Sequence, residues 1–268
     1  MGRRHKSNRA ALASLLVLAS MLGPALGLGG CASVPTDPDA RAAYDAANDP
    51  IEPLNRATFE VNMVFDRFLW EPLAIGYSEA VPELIQIWMR NFLSWLREPT
   101  VLANNLLQGD LHTAGKTTAR FMINTLLGPA GLRDMAKQQG FPHQTGDFGQ
   151  TLHVWGFPEG PYIMIPILGP SNLRDGIGLG VDSIADPIRF AAISRSQVIT
   201  WGRFGIEGID ERAQNLQAFD ELQKNSVDFY AQLRSIVRQR RAVQLHMPPP
   251  GAATPASSDL YADPASKK

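Results

Sequence analysis

The chain has 268 residues, enough after a leader for one large domain or two small ones. Its 25 basic and 26 acidic residues leave a formal net charge of −1, which argues against nucleic-acid binding, since that calls for a strongly basic field. A hydrophobic content of 44% can build a core, and a single cysteine excludes internal disulfides and any multi-cysteine zinc or iron–sulfur site.

Arg3, Arg4, Lys6 and Arg9 precede an apolar stretch over residues 11–22, and Gly23-Pro24 breaks the run. Leu28-Gly29-Gly30-Cys31 follows and resembles the lipobox of bacterial lipoproteins, where cleavage falls just before a cysteine that then carries lipid. An uncleaved signal anchor is the alternative, because no charge lies between Arg9 and Asp37. The lipobox makes residues 1–30 a signal peptide and Cys31 the lipidation site, and Ala32 after it favours sorting to the outer membrane. Two or more acyl chains make a stable anchor where one does not. Residues 31–48 are small, polar and proline-punctuated, which predicts a flexible tether.

Asp49-Pro50-Ile51-Glu52 opens a helix, with proline and acids in the first turn. Along it Leu54, Ala57, Val61, Val64, Phe65 and Phe68 share one apolar face. Asn55, Asn62 and Asp66 form a polar stripe, with Phe59 and Met63 beyond it. Two readings stand side by side: a helix with hydrocarbon on one side and protein on the other, or a core helix with two buried faces. Residues 82–96 are cleaner, an amphipathic helix whose apolar arc includes Trp88 and Trp95, seven apart on one face. That suits a membrane interface, where indole rings collect, or the wall of a soluble bundle.

Glu98-Pro99-Thr100 is expected to restart the chain, with a short helix over 101–108 carrying Asn104 and Asn105. Asp110 caps a longer helix over 111–127 that contains Asn124 and is ended by Gly128-Pro129. Residues 131–137 make another short helical piece. Residues 141–158 read as loop; His143, Asp147 and His153 fit no metal-ligand spacing, so a metal site is rejected. Residues 161–173 are apolar but carry three prolines, too broken to span a bilayer, and a hairpin around 154–167 is the one place for β structure.

Ser171 is a candidate cap for the next helix, where Gly176-Ile177-Gly178-Leu179-Gly180 suggests close backbone packing in place of a dinucleotide loop. Asp175, Asp182 and Asp186, spaced by seven and four, share a face of this helix, and Pro187 stops it. Residues 189–201 link to two amphipathic helices over 207–224 and 226–241. The second ends in Arg238, Arg240 and Arg241, which complement its dipole and suit anionic lipid or a partner. Residues 242–268 form a tail, Pro/Ala/Ser-rich from 248 and expected to be disordered. No strand alternation persists, so the fold class is all-α. No nucleophile elbow, Walker loop or His-Glu-x-x-His is present, and nothing calls for catalysis or a cofactor.

From about Asp49 to Gln214 the chain resembles the MlaA (VacJ) family. The likeness rests on Asp49-Pro50-Ile51-Glu52 with Asn55-Arg56, Asn62, Asp66 and Pro72, then Glu98-Pro99 with Asn105-Leu106-Leu107-Gln108-Gly109-Asp110. Arg120-Phe121, Asn124-Thr125, Gly128, Gly131 and Asp134 continue it, followed by Phe148-Gly149-Gln150-Thr151-Leu152, Gly156, Gly160-Pro161-Tyr162, Pro166, Gly169 and Leu173-Arg174-Asp175. The resemblance implies a ring of amphipathic helices over residues 49–241, lying in one leaflet of the outer membrane around an amphipathic channel.

It further implies that phospholipids misplaced in the outer leaflet pass through the channel to a soluble periplasmic carrier, MlaC, which maintains lipid asymmetry. A trimeric porin would hold the ring. Asp175, Asp182, Asp186 and Arg203 are the channel candidates so implied, with Asn104, Asn105 and Asn124 beside them, and Phe65, Trp88 and Trp95 are expected to face the membrane. Gly176–Gly180 is more apolar than in the enteric members. A lipid-anchored porin scaffold and a phospholipid hydrolase are the competing functions. Replacing Cys31 by Ser is expected to leave an unlipidated chain that separates from outer membranes on fractionation; full recovery with membranes would remove the tether.

Overall fold

The structure, a computed structural model, describes residues 35–186 and 196–247. The signal peptide, Cys31, Pro187 and the tail from residue 248 lie outside the described residues. The fold is helical with one short hairpin, and no helix among the described residues is long and apolar enough to cross a membrane.

Helix α1 (Pro38–Ala47) occupies much of the expected tether. Helix α2 (Glu52–Phe65) starts with Pro53 in its first turn and runs into a π-helical turn, Asp66–Trp70. Its polar stripe faces inward. Asn55 donates to the Tyr162 carbonyl and accepts from the Met164 N–H; Asn62, two turns on, donates to Ile165 and accepts from Ile167. Two helical turns advance about 10.5 Å, close to three residues of strand. The two amides therefore act as a neighbouring strand for β1 (Tyr162–Ile165), which on its other edge pairs antiparallel with β2 (Gly169–Asn172). The hairpin thus sits further along the chain than its expected place.

Phe59, Tyr162, Met164 and Tyr230 make a small apolar core behind this stripe. The remaining apolar face of α2 and of the turn after it points outward: Val61, Val64 and Phe68 are exposed, Phe68 by 76%. Of the two readings of α2, the core helix with two buried faces is not observed, because Val61 and Val64 are exposed.

After α3 (Glu71–Ala80) comes α4, a single helix over Glu83–Leu107 that passes through Pro99 without the expected restart. The cost of a mid-helix proline is about 3 kcal/mol; here tertiary contacts on both sides of it outweigh propensity. Glu98 is buried against Arg120 of α5 (Leu111–Leu126), and Val101, Asn104 and Asn105 are buried one turn on. Asp110 caps α5 as expected, its carboxylate accepting the Thr113 N–H at 2.9 Å.

The inward face of α5 is Ala114, Thr117, Arg120 and Asn124, while Met122 and Leu126 are exposed. Trp95 stacks on Phe121 with centroids 5.6 Å apart, donates its indole N–H to Thr125 and covers Gly131, where a side chain would collide with the ring. It is thus committed to packing between α4 and α5, which corrects its expected outward direction.

Helix α6 (Met135–Gln138) is shorter than expected, and α7 (Phe148–Val154) rises from a stretch read as loop because Asp147 caps it through the Gln150 N–H. Helix α8 (Leu173–Ala185) is capped by Asn172, where Ser171 was expected, and its small face packs on α7. A Cβ on Gly178 would lie 2.3 Å from the Gly149 nitrogen, which accounts for the glycine run. Helices α9 (Ser196–Gln214), α10 (Leu216–Asn225) and α11 (Phe229–Gln244) complete the fold, with α9 against α3 and α4.

The interior of α4–α6 is held by a charge. Arg120, 2% exposed, donates to Glu98, to the Phe141 carbonyl and to Asp134. Replacing Arg120 by Ala leaves the Glu98 carboxyl buried and unpaired, and should destabilise the fold by about 3–5 kcal/mol. Denaturant unfolding in mild detergent reads this directly; an unchanged midpoint would show that the network carries no stability.

Candidate functional site

Helices α4, α7, α8 and α9 surround a cavity of about 390 Å³ lined by many polar and charged residues, although apolar atoms contribute more of its surface. Asp182 and Asp186 enter it from the end of α8, Arg203 and Glu207 from α9, Arg97 from α4, and His143, Asp147 and Gln150 from the segment leading into α7. Leu179, Val101 and Phe204 supply apolar lining.

One wall is a chain of alternating charge. Arg97 donates to Glu207 at 2.7 Å, Glu207 also accepts Arg203 at 2.9 Å, and Arg203 reaches Asp186 at 2.6 Å. Asp182 is held differently, by the Asn104 amide at 2.9 Å and the Phe148 N–H at 2.8 Å. Burial pushes its carboxyl above the usual range in spite of both bonds. His143 sits with Nδ1 3.2 Å from the Ser94 hydroxyl; burial, then Arg120, pushes its pKa down and favours the neutral ring.

Of the expected channel residues, then, Asp182, Asp186 and Arg203 share this cavity. Asp175 does not line it. Asp175 and Asp147 together grip Arg241, whose guanidinium donates to both at 2.8–2.9 Å and so joins the starts of α7 and α8 to the end of α11. Arg238 pairs with Glu159 at 2.7 Å. The basic end of α11 is therefore used at least in part for internal ion pairs, which corrects the expected outward role of Arg238 and Arg241.

Asn104 stands one step behind Asp182 and accepts the Thr151 hydroxyl. Asn105 donates to Thr117, and Asn124 donates to Asp134 while accepting the Ala136 N–H. Asn105 and Asn124 are interhelical fasteners outside the cavity. Phe65 is half-buried edge-on to Trp70, and Trp88 is half-buried on α4. Arg97, His143 and Glu207 were not expected in the site; a single charge on an amphipathic helix looks like a solvated face. Among the described residues no group of three or more His, Cys, Asp and Glu is gathered as a metal would need.

A family profile described as MlaA lipoprotein matches residues 47–244. The chain belongs to the MlaA lipoprotein family. The Escherichia coli (strain K12) protein named intermembrane phospholipid transport system lipoprotein MlaA is 34% identical over 237 residues, spanning 84% of this chain and 87% of that one. Its namesake in Haemophilus influenzae is 30% identical over 227 residues, spanning 83% and 87%. A Rickettsia felis protein of uncharacterised role is 32% identical over 201 residues, spanning 75% and 79%. A solved structure described as the structural basis for maintenance of bacterial outer membrane lipid asymmetry superposes with a TM-score of 0.66 at 32% identity, covering 74% of this chain and 98% of that one. This family is one of helical lipoproteins, and its named members here are transport components.

Burial works against the Asp175 carboxylate, but Arg241 and Arg174 outweigh it and hold its pKa below the ordinary value. A depressed folded pKa stabilises above the unfolded carboxylate value of about 4 and is lost as pH falls below it. The α7–α8–α11 clamp should therefore persist to about pH 4 and open below it. In Arg241→Ala the clamp is absent at every pH, so α7 and α8 should exchange faster already at neutral pH and lose the acid-dependent step. Amide hydrogen exchange in α7 and α8 across this range checks it; identical pH profiles for the two proteins would contradict the clamp.

Proposed function

We propose that the chain is an outer-membrane lipoprotein that conducts phospholipid, its headgroup through the cavity lined by Asp182, Asp186 and Arg203, towards a soluble periplasmic carrier. The observation that carries this reading is the direction of the helix faces. Side chains of α2, the π-helical turn after it and α5 that would be buried in water-soluble bundles, such as Val61, Val64, Phe68 and Leu126, are exposed. Asn55, Asn104, Asn105 and Arg120 are buried. Apolar groups outward and polar groups inward suit a protein whose outer surface meets hydrocarbon, and the named relatives' role in phospholipid transport supports the same conclusion.

The physical need is plain. Moving acyl chains into water costs about 0.8 kcal/mol per methylene, and a polar headgroup crossing hydrocarbon meets the converse penalty. A polar cavity beside apolar outer faces lets each part of the lipid stay in its own medium. Maintenance of outer-membrane lipid asymmetry, delivery to a carrier of the MlaC type and a porin trimer as the seat of the protein belong to the same reading. Its supports are the family and the lipobox-like Leu28-Gly29-Gly30-Cys31; no step in it requires catalysis.

Ser183 is exposed on the cavity lining. Ser183→Trp should fill the cavity, keep the helical circular dichroism and abolish phospholipid transfer from donor vesicles to the purified carrier. Transfer at the wild-type rate would point to a scaffold for porins, and release of free fatty acid by the wild type would point to a hydrolase.

A further inference from the structure

Among the described residues, the acidic and arginine side chains on the cavity wall are in ion pairs with one exception. Arg97 and Arg203 share Glu207, Arg203 also meets Asp186, and Asp147 is held by Arg241. Asp182 faces the same space, yet among the described residues its carboxylate is bonded only by neutral donors, the Asn104 amide and the Phe148 N–H. Arg241, the cation that acts on it from a distance, is already bonded by the carboxylates of Asp147 and Asp175. A carboxylate has about four lone-pair sites, and neutral donors occupy two here. The neighbouring neutral groups are arranged to keep both oxygens in place: Thr151 fixes Asn104 from behind, and Asp147 caps the helix whose first N–H binds Asp182.

We propose that Asp182 receives the primary ammonium of an aminophospholipid headgroup, so that the cavity selects aminophospholipids over anionic phospholipids. This rests on the conduit reading above. An ammonium brings three donors and a full positive charge, and so supplies what the two neutral donors do not. Arg97, whose side chain is 58% exposed and which has one carboxylate partner, lines the same cavity and offers N–H groups to the phosphate. An anionic headgroup carrying hydroxyls in place of the amine gains no ion pair at Asp182 and meets its repulsion. Burial raises the Asp182 carboxyl, and the two neutral donors do not offset it, in keeping with a carboxylate that has no directly bonded cation among the described residues.

The test is competitive loading. Full-length lipidated protein in detergent is incubated with equal phosphatidylethanolamine and phosphatidylglycerol, re-isolated, and its bound lipid quantified. A charge-assisted hydrogen bond gained by one headgroup alone predicts enrichment of phosphatidylethanolamine by about tenfold. D182N should bring the ratio among the lipid that remains bound to about one. Because Asp182 also fastens the start of α7, a ligand-side arm keeps the wild-type protein: N-acetylated phosphatidylethanolamine should lose the advantage. Soluble phosphoethanolamine at the same concentration should not displace the lipid; displacement would assign the amine site to a small soluble ligand. A wild-type ratio near one, or an undiminished preference in D182N, overturns the inference and leaves the conduit standing. Wild-type protein that loads no phospholipid at all overturns the conduit and this inference with it.

Discussion

A full positive charge sealed inside the helical domain sets the arrangement of everything around it. Arg120 needs acceptors on several sides, and it takes them from Glu98 on α4, Asp134 at the start of α6 and the carbonyl of Phe141. Burial pushes the Glu98 carboxyl up even beside this guanidinium, so the pair holds only if its surroundings stay closed and polar. Two consequences follow. The facing surfaces of α4 and α5 must take in polar groups, Glu98, Asn105, Thr117 and Arg120, beside the stacked Trp95 and Phe121, while Met122 and Leu126 are turned away. The chain after Phe141 is also fixed where it must pass, which delivers His143 and Asp147 to the cavity. The cavity inherits its position from a structural ion pair whose members do not line it.

The sequence-level reading recovered the elements better than their orientation. Asp110 as a cap, Gly128-Pro129 as a stop and the close packing of the glycine run in α8 all reflect local backbone rules that act wherever the helix lies. Which face of α2 points inward was left open, because periodicity separates faces without saying which solvent each meets. Asn55 and Asn62 resolve it only once β1 is in place to be bonded. Passage of α4 through Pro99 was misread for the same reason: the local penalty is about 3 kcal/mol, while the compensation comes from Arg120, 21 positions away and invisible to a local window.

The site was legible only in part, and the family likeness supplied that part. Asp182, Asp186 and Arg203 meet in the cavity, yet the spacing of the acids alone would have grouped Asp175 with them. Asp175 is drawn off by Arg241, a partner contributed by the last helix. Asn105 and Asn124 looked like channel polar groups because a buried fastener and a lumen residue have the same composition. Arg97 and Glu207, 110 positions apart, gave no signal of their ion pair, since each sits on an amphipathic helix where a solvated charge is the ordinary expectation.

A conduit must offer polarity without retaining what passes. Entry requires favourable contacts, and exit requires that no contact be too strong. The wall formed by Arg97, Glu207, Arg203 and Asp186 meets both demands, because its charges neutralise one another and leave a polar surface with little net attraction for either end of a headgroup. A wall of unpaired arginines would bind phosphate tightly and release it slowly. Against this neutral background the Asp182 carboxylate, bonded among the described residues only by neutral donors, would on the proposed reading discriminate between headgroups without becoming a trap, since those two donors already satisfy half of its bonding capacity. On the proposed conduit reading, selectivity and passage are compatible in one cavity because they would rest on different residues: the paired wall would carry the traffic, and Asp182 would sort it.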